Sequence, residues 1–293
     1  MSSLPEPAHW SSLLQRLERV LDRVEAALPH ASAAPDWEAS TAYRYRRRGN
    51  AGVLEPVRHV ATIRLADLKE VELQKARLVA NTRQFVARRP ANNVLLTGAR
   101  GTGKSSLIKA CLNEFAPQGL RLIEVDKADL VDLTDIVDRI AERPERFVIF
   151  CDDLSFDEGE PGYKALKSVL DGSVAQASEN LLIYATSNRR HLLPEYMREN
   201  LTYTHTDDGE VHPGEVIEEK ISLSERFGLW LSFYPFTQAE YLAIVAQWLH
   251  HFGETDAARL EAARPEALVW ALERGSRSGR VAYQFARDWC GRA

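Results

Sequence analysis

The stretch that most constrains this chain is Val94–Ser106, VLLTGARGTGKSS, where an apolar run passes through three glycines and a lysine into a helical pattern. Gly98, Gly103, Lys104 and Ser105 fit the spacing G-x-x-x-x-G-K-[ST], and the flanks supply the strand before it and the helix after it. Glycines let backbone N–H groups turn inward around an anion, and the helix that follows adds the positive end of its dipole. The pattern predicts a phosphate cradle made of Gly98, Ala99, Arg100, Gly101, Thr102, Gly103, Lys104, Ser105 and Ser106. Lys104 is expected on the β and γ phosphates and the Ser105 hydroxyl on Mg²⁺. The implied ligand is a nucleoside triphosphate.

Downstream, Leu120–Val125, Phe147–Cys151 and Leu181–Thr186 are short apolar runs separated by helical patterns at Ser105–Phe115, Asp129–Ala141 and Tyr163–Ala177. Apolar strands that do not alternate, interleaved with helices, predict a parallel sheet covered on both faces. Ligands gather at the C-terminal strand ends of such a sheet. FVIFC ends in Asp152-Asp153. That acidic pair predicts Asp152 on the metal and Asp153 polarising the attacking water. The next strand ends in Thr186-Ser187-Asn188, where a neutral polar side chain can orient water without adding charge. Asn188 is the first choice for that role and Thr186 its rival.

Around this core lie less specific segments. Residues 10–28 carry leucines and valines at helical spacing, and 65–88 reads as another long helix ended by Pro90. Between them, Tyr43 and Tyr45 interleave with Arg44, Arg46, Arg47 and Arg48. Such a cluster can stack on bases and grip phosphates, or it can be the solvated basic end of a helix before Gly49. Residues 204–219 read as a polar, acidic surface insertion leading into a helix near 216–227, with a strand at 229–233. After Pro235 only helical patterns remain, near 237–251, 256–273 and 279–290, predicting a small helical second domain. The expected division is an N-terminal helical extension at 1–60, an α/β nucleotide domain at 61–235 and a helical lid at 236–293.

The formal net charge of −5 gives no global field for nucleic acid. Cys111, Cys151 and Cys290 lack metal-ligand spacing and are expected as buried free thiols. With no basic-then-apolar leader and no apolar run near the ~20 residues a membrane span needs, a cytoplasmic chain without membrane contact is expected.

The loop, the acidic strand end and the polar strand tip together resemble the core of the AAA+ ATPases, which pair an α/β nucleotide domain with a helical lid. In this chain Ser224-Glu225-Arg226-Phe227 resembles that family's arginine-finger motif, which implies that Arg226 acts in trans on a neighbour's site in a homo-oligomeric ring. Ser278-Gly279-Arg280 resembles its second sensor, implying that Arg280 reaches from the lid to the phosphates, with Arg277 as a competitor. Several stretches are similar to a bacterial AAA+ family, the domain of unknown function 815: AYRYRRRG, ADLKEVELQK, CDDLSF, YATSNRRHLLPE and EEKISLSERFGLWLSFYPFTQAEYL. Two positions depart from the common AAA+ pattern. Glu70 stands where glycine often precedes the adenine pocket, and Asp153 stands where glutamate is usual.

The resemblance implies an ATP- and Mg²⁺-dependent ATP hydrolase that remodels a macromolecular partner. An unidentified protein client is one hypothesis for what it acts on, with the N-terminal helix and the acidic insertion at 204–219 as contact surfaces. A nucleic-acid accessory ATPase of the helicase-loader kind, motivated by Arg44–Arg48 and Asp152-Asp153, is one alternative. A nucleotide-gated switch with little turnover is another.

Overall fold

The computed structural model describes residues 14–20, 35–49, 51–156, 160–171, 179–189, 204–205, 211–212 and 223–292. Its centre is a seven-stranded sheet in the order β2-β1-β4-β5-β6-β3-β9. The strands are β1 (Ala42–Arg48), β2 (Ala51–Pro56), β3 (Val94–Gly98), β4 (Leu120–Glu124), β5 (Arg146–Cys151), β6 (Leu181–Ser187) and β9 (Leu229–Phe233). Two-residue strands β7 (Thr204–His205) and β8 (Val211–His212) pair separately. All neighbours in the main sheet are parallel except β1 and β2, so the sheet is mixed, with a mostly parallel core.

Consecutive residues of the central strands feed opposite faces. Val94 and Leu96 of β3, with Val148 and Phe150 of β5, pack on one face under α1 (Glu72–Val86) and α2 (Lys104–Phe115). Leu95, Phe147, Ile149 and Cys151 enter the core of the other face with α3 (Leu133–Ile140) and α4 (Pro161–Asp171). Every residue of β5 is buried, as a strand covered on both sides requires. The chain then leaves β9 through Phe236 into three helices, α5 (Gln238–His251), α6 (Ala257–Glu273) and α7 (Gly279–Gly291). Thr237 starts α5 with a reciprocal capping box to Glu240. Tyr241 of α5 ties the bundle together by donating to the Ala267 carbonyl at 3.1 Å.

Two expectations change. Residues 14–20 are helical, but 42–56 form a β-hairpin that extends the main sheet beside β4, not part of a helical extension. The reason is period-two burial: Tyr43 and Tyr45 point into the core, whereas Arg44, Arg46 and Arg48 alternate outward. Tyr43 donates to the Asp36 carbonyl at 2.6 Å and Tyr45 to Asp132 at 3.0 Å. Arg44 pairs with Glu124 at 2.6 Å, Arg47 with Asp132 at 2.9 Å, and Arg48 with Glu55. The two tyrosines are therefore core residues, while Arg44, Arg47 and Arg48 hold ion pairs at the surface. The second change concerns 65–88, which is a short 3-10 turn at Leu65–Asp67 and then α1, interrupted at Glu70 by a left-handed φ of 63°. The acidic insertion at 204–219 and the ends of the helices predicted at 10–28, 163–177 and 216–227 lie largely outside the described residues.

Candidate nucleotide site

β3 delivers the phosphate-loop sequence at its C-terminal end, and α2 begins at Lys104 with left-handed Gly103 (φ 98°) as its N-cap. Two loop glycines are required by close approach. A Cβ on Gly98 would stand 1.8 Å from the Phe233 carbonyl oxygen of β9, and one on Gly101 would stand 2.8 Å from Ser278 Cβ. Gly101 thus abuts the first residues of the lid helix α7, and Gly279 N–H donates to the Gly101 carbonyl at 2.8 Å.

Lys104 is buried and its Nζ donates to the carbonyls of Gly98 (2.7 Å) and Ala99 (2.8 Å) and to Asn188 Oδ1 (3.0 Å). Burial pulls its ammonium below the ordinary lysine value, against the opposing pull of Asp152 and Asp153. The Ser105 hydroxyl donates to Asp152 Oδ1 at 2.6 Å. A hydroxyl and a carboxylate held together are hard oxygen donors suited to Mg²⁺, which takes one or two carboxylates and completes its shell from phosphates and water. Among the described residues no group of three or more His, Cys, Asp or Glu side chains could hold a metal alone. The pair therefore fits an ion shared with a phosphate ligand.

The adjacent strand tips complete this end of the site. Thr186, almost fully buried, donates to Asp152 Oδ1 at 2.6 Å, and its Oγ1 accepts the Asp153 N–H at 2.9 Å. Asp153 sits in the left-handed region (φ 51°), a conformation aspartate tolerates better than most residues. Its carboxylate accepts from Asn188 Nδ2 and lies 3.6 Å from Arg100 Nη2. The two candidates for the polar strand tip divide the space. Asn188 touches both Lys104 and Asp153, while Thr186 braces the acidic pair from behind.

These groups line one end of a cavity of about 1020 Å³ between the sheet and the lid. Arg280 of α7 lines it too, with its Cβ 3.5 Å from where a Cβ on Gly101 of the loop would stand. The structure brings together Arg100–Ser106, Asp152, Asp153, Asn188 and Arg280 around this space; Gly98 and Ala99 form the turn beneath. Arg226 does not line the cavity of its own chain; its guanidinium is ion-paired with Asp171 at the end of α4.

The far end of the cavity was not anticipated from the sequence. It is formed by residues 61–64, Leu68 and Val71 on one side and by Ile244, Trp248, His251 and Tyr283 of the lid on the other. Trp248 and Tyr283 meet edge to face with centroids 4.9 Å apart. Glu70 lies between Lys69 and Val71 of this wall, and its positive φ keeps the backbone conformation that glycine adopts most readily. The departure from glycine therefore adds local strain of about 1 kcal/mol and leaves the chain's path as a glycine would.

Residues 38–293 match the protein family described as "Protein of unknown function (DUF815)". The chain belongs to this family. None of the curated proteins matches it in sequence. Among solved structures, a lysine-to-arginine mutant of Thermotoga maritima RuvB is similar at 15% identity, with a TM-score of 0.52 over 78% of this chain and 64% of that one. A proline-to-glycine mutant of the same protein gives 18% identity and 0.50, covering 77% and 64%. The FIGL-1 AAA domain in complex with ADP gives 20% and 0.49, covering 77% and 72%. The DUF815 chain thus spans 64% of the RuvB chains, and the likeness establishes an AAA+ type fold: a mostly parallel sheet flanked by helices. No described helix is long and apolar enough to cross a membrane.

Proposed function

We propose that this DUF815 protein binds ATP with Mg²⁺ and hydrolyses it to drive conformational work on a protein partner. The observation that carries the reading is the Ser105–Asp152 contact of 2.6 Å at the N-terminus of α2, with Lys104, Asp153 and Asn188 beside it. Backbone N–H groups of the loop and Lys104 would hold the phosphates. Ser105 and Asp152 would hold Mg²⁺, which when bound supplies positive charge to the phosphate oxygens. Asp153, aimed by Asn188 and by the Thr186 hydroxyl at its backbone, would take a proton from the attacking water. Arg280 would close on the phosphates from the lid. The base would lie at the far end, between residues 61–64 and the aromatic face of Trp248 and Tyr283.

We further propose that the moving parts are the α/β body, which includes the hairpin at 42–56 and runs to 235, and the helical lid at 236–293, and that Arg226 serves the site of a neighbouring copy in a ring. Its place away from its own cavity is compatible with that role, and the Asp171 contact must then open on assembly. A protein client is preferred to nucleic acid because Tyr43 and Tyr45 are buried and Arg44, Arg47 and Arg48 are already ion-paired.

The test is ATP turnover and binding by the purified chain. Lys104→Ala should abolish nucleotide binding, and Asp153→Asn should bind ATP without hydrolysing it. Normal hydrolysis by the Asp153 variant would remove the assigned base. DNA-stimulated turnover that collapses with added salt would replace the protein client with nucleic acid. Tight binding with no turnover in the wild type would leave a switch.

A further inference from the structure

Residues 61–64 cross the base end of the cavity outside any helix or strand, and all four line it. Such a segment would place its polar groups loosely unless something held it. Its anchors are unusually complete. Asn113, near the C-terminal end of α2, spends its side-chain amide N–H groups on two carbonyls, Ala61 O at 2.7 Å and Ile63 O at 2.8 Å. Asp67 accepts the Arg64 backbone N–H at 2.8 Å, and Lys75 Nζ donates to the Leu68 carbonyl at 2.7 Å. Between the two carbonyls gripped by Asn113 stands Thr62. Among the described residues its backbone N–H and C=O have no hydrogen-bond partner.

We propose that Asn113 is a positioning residue for base selection. By drawing the carbonyls on either side toward α2, it fixes Thr62 as a donor–acceptor pair facing the cavity. In an extended segment, backbone groups two residues apart share a side and the residue between them faces the other way. The exposed edge of adenine offers an acceptor (N1) beside a donor (the 6-amino group). Guanine offers the same two kinds of group in reverse order, so a pair fixed in direction discriminates between them, whereas a floppy one does not. Asn113 lies on the helix whose first turn carries Lys104 and Ser105, so one rigid element sets both ends of the site. This inference rests on the nucleotide reading above and adds to it the residue that makes the base end selective.

The test uses the full chain with Mg²⁺ and three probes: ATP, GTP and inorganic tripolyphosphate. Binding is measured calorimetrically for the wild type, Asn113→Ala and Asn113→Asp. Aspartate keeps the shape but sets an acceptor against two carbonyls. Both variants should weaken ATP about tenfold, the effect of roughly one lost hydrogen bond. Tripolyphosphate should stay within about twofold, which also reports that the variants fold. The ATP-to-GTP preference should contract by a similar factor. Equal weakening of ATP and tripolyphosphate would overturn the proposal by making Asn113 a prop for the phosphate loop, as would Asn113→Asp binding ATP like the wild type. A wild type that binds tripolyphosphate as tightly as ATP would remove the base site while leaving the phosphate loop intact. One that binds neither would sink the nucleotide reading itself.

Discussion

Replacing Thr186 by valine isolates one hydroxyl that braces both acidic residues of the candidate site. That oxygen donates to Asp152 Oδ1 at 2.6 Å and accepts the Asp153 backbone N–H at 2.9 Å, in a position only 1% exposed. Valine has nearly the same shape, so no cavity forms and the loss is polar. A hydrogen bond to a carboxylate contributes about 1.5–3 kcal/mol and one from a backbone N–H about 1 kcal/mol, giving a destabilisation on the order of 3 kcal/mol. At roughly 2–4 °C per kcal/mol for a chain of this size, Tm should fall by about 6–12 °C. Thr186→Ser keeps the hydroxyl and loses one methyl, at about 1 kcal/mol. The assay is thermal unfolding of the three proteins beside steady-state ATP turnover. Turnover of the valine variant should drop about tenfold or more with ATP binding retained, because Asp153 loses the contact that fixes its backbone. A serine variant that is less stable or slower than the valine variant would refute the reasoning, since the methyl and not the hydroxyl would then be what matters.

Other consequences can be checked directly. Gly101→Ala should separate the lid from the loop, because its Cβ would meet Ser278 at 2.8 Å on a backbone at φ 74°; proteolysis should then cut the 234–237 connection faster than in the wild type. Burial raises the Asp67 carboxyl, but hydrogen bonds from the Arg64 side chain and backbone outweigh it, and the net pKa lies below the ordinary 3.8. Its stabilisation is therefore complete above that value and lost as pH falls through the lower folded pKa, so the stability gap between wild type and Asp67→Asn in urea should hold from pH 5 to 8, to take a rough range, and close in acid. Burial pushes the Cys111 and Cys151 thiols up to about 12. A thiol reagent at neutral pH should accordingly label at most Cys290 in the folded chain, and all 3 cysteines in denaturant.

What the sequence disclosed and what it hid follow from the range of the interactions. The glycine-rich loop, Asp152-Asp153, Asn188 and Arg280 occupy strand ends and a helix start, where a few adjacent letters carry both the turn and the polar side chains that line the cavity. The lid was legible because helices α5–α7 follow one another after Pro235 without an intervening strand. The hairpin at 42–56 was misread because arginines and Gly49 also suit a helix end. The alternation of Tyr43 and Tyr45 with Arg44 and Arg46 was the signal for a strand, and it acquires weight only once β4 stands beside it. The lining at the far end of the cavity was hidden for a different reason. Trp248 and Tyr283 lie on helices whose apolar residues all look alike in sequence, and Asn113 meets Ala61 across 52 residues of chain. The break at Glu70 was marked only through the resemblance, as a place where glycine is usual, because a glutamate carries no local signal for a positive φ.

The contact between Gly279 N–H and the Gly101 carbonyl joins lid to loop without using a side chain. An ion pair at that place could be lost by exchanging either partner. A bond between two peptide groups survives exchange of the side chains around it and yields to added bulk at its own two residues, or to loss of the N–H in a proline: a Cβ on Gly101 would meet Ser278, and one on Gly279 would stand 3.2 Å from the Gly101 oxygen. Substitutions can therefore retune the lid's surface and its charge while the joint that ties it to the loop stays the same. The two glycines, more than any side chain nearby, hold lid and loop together.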